Sequence, residues 1–173
     1  MEAHALVLRR VGVALLAYFA LHLFTMVFDY ATDTSHAFSI DLLSLILSVM
    51  LLQGSLGAAR WAAFFTSARL AATALGVVAL PLLLYCVPEL RKELGFDLSL
   101  AWSSGAVALN VAFDVWMLRE LSDAPVEEAL EATQRGSIRR AIYFGAGLCI
   151  SVTLLGGTLF GLVYSAYRQH VAN

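Results

Sequence analysis

An asparagine and an aspartate, Asn110 and Asp114, stand four residues apart in an otherwise apolar stretch, LSLAWSSGAVALNVAFDVWML. On a helix this spacing puts them on one face, which Ser103 and Val107 continue. A carboxyl group in such surroundings is costly and turns toward protein or water. It has two uses. Asp114 can titrate in an ion or proton path, with Asn110 and Gln53, a residue expected at similar depth on another helix, completing a polar layer. Or Asp114 pairs with an arginine (Arg60, Arg69 and Arg119 are in range) while Asn110 and Gln53 hydrogen-bond across helices.

His22 lies midway along a second apolar run. One histidine there can relay protons or ligate haem. Haem between membrane helices usually takes two histidines, and His4, His36 and His170 all fall outside the apolar runs. A hydrogen bond to another helix is the simpler role, with Asn110 about 5 Å away in depth. Asp29, Asp33, His36 and Asp41 are close enough in sequence to hold a divalent cation if their loop folds back, but their spacing fits no ligand pattern. No metal or other cofactor is expected. The chain has no HExxH, GxSxG or phosphate-binding glycine loop, so no residue is assigned to catalysis.

The most regular pattern is one of small residues. Gly145, Cys149, Thr153, Gly157, Gly161 and Ser165 recur every four positions, and Gly156 widens the groove they make. Small residues let helix backbones approach closely in lipid, where no hydrophobic drive brings helices together. The stripe predicts a helix-packing face, within the chain or between subunits.

The elements that carry these residues follow from composition. Of 173 residues, 60% are hydrophobic and 14% charged, with net charge −2 and mean hydropathy +0.78. A soluble domain has about a quarter charged residues. This chain has too little polar surface to coat a globule in water, and its charge makes no case for nucleic acid. The expected partners are the lipid bilayer and either further copies of the chain or another membrane subunit.

Crossing a bilayer core of about 30 Å takes roughly 20 apolar residues in a helix. Five segments qualify: residues 11–30, 38–57, 70–87, 98–118 and 141–167. The second is the weakest, with Asp41 and Gln53 near its ends. The first follows Arg9 and Arg10 and reads as an uncleaved signal anchor. The fold class is therefore all-α: a single polytopic transmembrane helical bundle of about five spans.

Arginines orient it. Arg9, Arg10, Arg60, Arg69, Arg119, Arg135, Arg139 and Arg140 collect on one side, against Arg91, Lys92 and Arg168 on the other. The N-terminus is thus expected in the cytoplasm and the C-terminus outside, in the inner membrane of a bacterium. Trp61, Trp116 and Tyr143 mark the inner interface; Tyr30, Tyr85, Trp102, Tyr164 and Tyr167 mark the outer one. In this arrangement Cys86 and Cys149 sit at different depths and do not bridge.

The inner connection AARWAAFFTSAR is expected to lie in the interface. The longest inner connection, SDAPVEEALEATQRG, predicts a cytoplasmic linker helix near 123–135. Ser122 or Asp123 is its cap, Pro125 and the acids Glu127, Glu128 and Glu131 come early, and Arg135 and Gly136 end it. Its solvated form is preferred, although Val126, Ala129, Leu130 and Thr133 make a thin apolar face. Pro81 can kink the third span. Five spans do not divide into two halves, which disfavours an inverted-repeat transporter.

Three functions fit. The leading one is a non-enzymatic membrane component that associates with itself or with partners. A small oligomeric ion or proton channel subunit, with its path near Asp114 and Asn110, is the alternative. A membrane enzyme acting on lipids or quinones is the third, and only the Asp29–Asp41 region approaches the acid, base and metal cluster it needs.

Overall fold

A computed structural model describes residues 3–31, 42–86, 98–133 and 136–172. The described residues form six helices and no strand: α1 (Ala3–Ala31), α2 (Leu42–Leu52), α3 (Leu56–Cys86), α4 (Leu98–Leu121), α5 (Ala124–Ala132) and α6 (Ile138–Ala172). Among the described residues, three stretches are long and apolar enough to cross a membrane: Ala3–Thr25, Leu56–Ala79 and Ile138–Gly156. Helix α2 has only 11 residues, about 16 Å of rise. Residues 38–41 of the expected second span lie outside the described residues, as do the side chains of residues 98–104 and 106 of α4.

The first expected span begins earlier than its apolar run, so Arg9 and Arg10 lie within α1 and not ahead of it. The expected inner connection at 58–69 is not a separate segment. It is the first half of α3, which runs unbroken to Cys86 and passes through Pro81. The reason is local. Ala58, Ala59, Ala62 and Ala63 are strong helix formers, and no proline interrupts them before Pro81.

The break falls instead between α2 and α3. Gly54 adopts φ 79°, the left-handed conformation that glycine reaches without penalty. Its N–H donates to the Leu51 carbonyl at 2.9 Å, and the Ser55 N–H donates to the Met50 carbonyl at 3.0 Å. These are the paired closing bonds of a Schellman motif. Ser55 then caps α3, its Oγ accepting from the Ala58 N–H at 3.3 Å. Three residues therefore end one helix and start the next.

The chain divides into two compact units: Met1–Ala63 with Trp116–Ala141, and Phe64–Val115 with Ile142–Asn173. Helices α3, α4 and α6 contribute to both. In the first unit, α1 packs on α2 and on α5. Leu8, Val11 and Leu15 of α1 are buried at helical spacing, as are Ser44, Leu47, Ser48 and Leu51 of α2. The α1–α2 crossing is close. A Cβ on Gly12 would lie 3.0 Å from the Leu52 Cγ, the Leu52 nitrogen and the Ser48 carbonyl oxygen. Ser48 is fully enclosed and satisfies its hydroxyl on the Leu45 carbonyl at 2.7 Å.

Helix α5 is docked, not solvated. Val126 and Leu130 are completely buried, which stabilises the unit by about 1.5–3 kcal/mol for each side chain. Of the other two residues on the expected face, Ala129 is half-buried and Thr133 exposed. Asp123 caps the helix, accepting from the Ala124 N–H at 3.1 Å, and Pro125 lies in the first turn. Thr133 closes it, donating its hydroxyl to the Ala129 carbonyl at 3.0 Å. The helix ends at Ala132, with Thr133 as its cap; Gln134 and Arg135 lie outside the described residues.

The described residues of the second unit bury a different set of side chains. Among the described residues, every fully enclosed apolar side chain belongs to the first unit. The buried side chains of the second are Thr66, Ser67 and Asp114. Its large apolar groups face outward, Leu109 at 74% exposure and Phe144 at 69% among them.

Candidate functional site

Asp114 is the most deeply buried ionisable group described, 2% exposed. Its partner is Arg69. The Arg69 Nε donates to Asp114 Oδ2 at 2.9 Å and Nη2 donates to Oδ1, giving a two-pronged guanidinium–carboxylate pair. Such a fork matches the carboxylate in shape and charge. Helix α3 holds Arg69 about 20 Å along its length from Leu56, and the Arg69 carbonyl accepts the Thr73 hydroxyl at 3.0 Å. The Arg69 side chain remains 35% exposed. Of the three arginines in range by sequence, the middle one is selected. It also ceases to be a loop residue, because α3 absorbs the segment that carries it.

The other residues of the expected polar layer are each placed within their own unit. Asn110, one turn from Asp114 on α4, is exposed. Gln53 is not within α2: it lies in the turn that follows, exposed, its N–H donating to the Val49 carbonyl at 3.1 Å. The physical cause is Gly54, whose left-handed conformation ends the helix one residue after Leu52. Gln53 and His22 belong to the first unit and Asp114 to the second. His22 is exposed on α1, and its carbonyl accepts the Thr25 hydroxyl at 2.8 Å.

The small-residue stripe is occupied from within the chain at its first member. A Cβ on Gly145 would collide with the Phe64 carbonyl oxygen and the Ser67 hydroxyl of α3. Phe64 and Phe144 flank this crossing with ring centroids 6.0 Å apart. Cys149, a free thiol, is half-buried. Thr153 is exposed, and a Cβ on Gly147 or Gly156 would meet nothing within 4 Å. The surroundings of Gly157, Gly161 and Ser165 lie outside the described residues, as do those of Asp29, Asp33, His36 and Asp41. Among the described residues there is no group of three or more acidic, histidine or cysteine side chains able to hold a metal.

Two further ionic arrangements belong to the first unit. Arg10 of α1 pairs with Glu120 of α4 at 3.4 Å. With Arg10 70% exposed, this is a surface pair of small energetic weight. Glu127 has a more specific role. Its carboxylate accepts from the backbone N–H groups of Ile138 and Arg139, both at 3.3 Å, and from the Ser137 hydroxyl at 3.4 Å. Ser137 in turn accepts from the Arg139 N–H at 3.1 Å. An acid of α5 thus neutralises the positive end of α6. The sequence shows Glu127 only as an early acid of its own helix, because capping at a distance of 11 residues depends on how the turn folds. The Gly12 crossing was more legible: glycine opposite a Ser44-x-x-x-Ser48 pair is the same small-residue pattern as the α6 stripe.

No family model, curated protein or solved structure matches the chain.

Proposed function

We propose that the chain is a non-enzymatic polytopic membrane protein that works as an oligomeric or complex-forming component of the bacterial inner membrane. The observation that carries this reading is the large apolar surface of the described helices, in both units, together with the small and polar buried residues Thr66, Ser67 and Asp114 of the second. Lipid is the solvent that such a surface suits, and small residues are how helices pack in it. Association is supported by the α6 stripe. It is filled by α3 at Gly145 and open at Thr153 and Gly156.

In this reading the protein crosses five times, N-terminus inside. Helix α2 with the residues preceding it supplies the second crossing. If it did not cross, every later helix would reverse, and the bias of Arg9, Arg10, Arg60, Arg119, Arg135, Arg139 and Arg140 against Arg91, Lys92 and Arg168 would be lost. The Arg69 pair favours a structural role for Asp114, since both carboxylate oxygens accept from one guanidinium.

Cysteine cross-linking in native membranes tests association. Thr153→Cys should give a disulfide-linked dimer on oxidation, and Val126→Cys, buried in the first unit, should not. A Thr153→Cys protein that stays monomeric at every oxidant level removes the homo-oligomeric form. Orientation is read with a membrane-impermeant maleimide on Glu131→Cys, which should react in inverted vesicles and not in intact cells.

A further inference from the structure

Among the described residues, the Arg60 Nε is the one buried side-chain nitrogen or oxygen without a hydrogen-bond partner. Arg60 sits in the second turn of α3, half-buried. The guanidinium lies over the turn between α5 and α6. A Cβ on Gly136 would be 3.6 Å from its Nη2 and 3.7 Å from its Cζ, and Gly136 itself has φ 78°. The turn does contain a carboxylate, Glu127. That carboxylate is taken by the Ile138 and Arg139 amides and the Ser137 hydroxyl. Among the described residues no carboxylate pairs with Arg60. The same turn leads into exposed Arg139 and Arg140. The Arg60 guanidinium therefore lies against a turn whose nearby carboxylate is already engaged. A partly enclosed guanidinium without a counter-ion is unfavourable, and its planar fork suits a phosphate.

We propose that Arg60, lying over Gly136 between α5 and α6, is a binding site for a phosphate-bearing anion. The source is the headgroup of an anionic lipid or a soluble phosphate compound. The lipid source rests on the membrane reading above; the phosphate chemistry does not. Trp61, adjacent on α3 and 58% exposed, suits a position at headgroup level.

The test uses the full chain in neutral detergent with two probes, phosphatidylglycerol and inorganic phosphate, against phosphatidylcholine and chloride at equal ionic strength. Native mass spectrometry should show wild-type protein retaining phosphatidylglycerol, with about a tenfold loss of retention in Arg60→Gln. Arg140→Gln should change it by less than that. Should Arg60→Gln fail to fold, phenylglyoxal labelling of the wild type gives the answer without a variant: the probe that occupies the site slows modification of Arg60 several-fold. Protection by phosphatidylglycerol assigns a lipid source, and protection by inorganic phosphate alone assigns a soluble one. Arg60 modified at one rate under every condition, or lipid retention unchanged in a folded Arg60→Gln protein, overturns the site. Either result leaves the membrane reading to be decided by cross-linking and maleimide access.

Discussion

Arg69 of α3 grips Asp114 of α4 through two parallel hydrogen bonds, and the carboxylate so held is 2% exposed. Removing one partner leaves the other charge enclosed. Arg69→Met should cost about 3 kcal/mol, because it leaves the enclosed Asp114 carboxylate without its counter-charge, and Asp114→Leu should cost less, because the Arg69 side chain left behind is 35% exposed and can be hydrated. The double variant should recover most of the loss, since an apolar pair needs no desolvation of charge. Reversible unfolding in mixed micelles, arranged as a double-mutant cycle, measures the coupling. Additive losses would show that the two residues act separately.

Gly145 and Gly147 lie two residues apart on α6 with opposite surroundings. A methyl group at Gly145 meets the α3 backbone at Phe64, which cannot withdraw as a side chain can. Gly145→Ala should destabilise by about 2 kcal/mol through overpacking. Gly147→Ala meets nothing within 4 Å and should be neutral or stabilising, by up to about 1 kcal/mol from helix propensity. Thermal melts of the two variants compare them directly, and equal behaviour would refute a close α3–α6 crossing at Gly145.

Glu127→Ala should weaken the start of α6 by about 1 kcal/mol, the usual worth of a lost cap. The effect should be local. Amide hydrogen exchange at Ile138 and Arg139 should speed up, while exchange in the middle of α1 stays as it was. Glu128→Ala, an exposed neighbour, serves as the control.

Leu130 distinguishes a docked α5 from a solvated one. It is completely buried in the first unit, so Leu130→Ala should cost about 2–5 kcal/mol. Truncating exposed Glu131 to alanine should change stability by less than about 0.5 kcal/mol. If both substitutions proved silent, α5 would be a free linker.

Gly54 and Gly136 both hold left-handed backbone, at φ 79° and 78°. Gly54→Ala should lower stability by about 1 kcal/mol despite the open space around it, because the penalty lies in the backbone and not in contacts. A shift of the melting transition is the readout. An unchanged melt would mean that the α2–α3 turn is not closed as the structure shows.

The sequence alone determined the helical class, the apolar stretches and the location of the polar exceptions. These depend on composition and on runs of neighbouring residues. It also narrowed the partner of Asp114 to three arginines, since a buried carboxylate requires a counter-charge. Only the tertiary structure chose Arg69, because the choice depends on which turn of α3 faces α4. It likewise decided that residues 58–69 continue α3. A run of alanines and arginines at a membrane surface reads equally as a connection or as a helix until the Ser55 cap is seen to start one. Gln53 falls in a turn because a single glycine ends α2 before it, and Asn110 is exposed one turn from a buried aspartate. Spacing along a chain says which residues share a face. Whether another helix covers that face is settled by packing across long distances in sequence, which spacing does not contain.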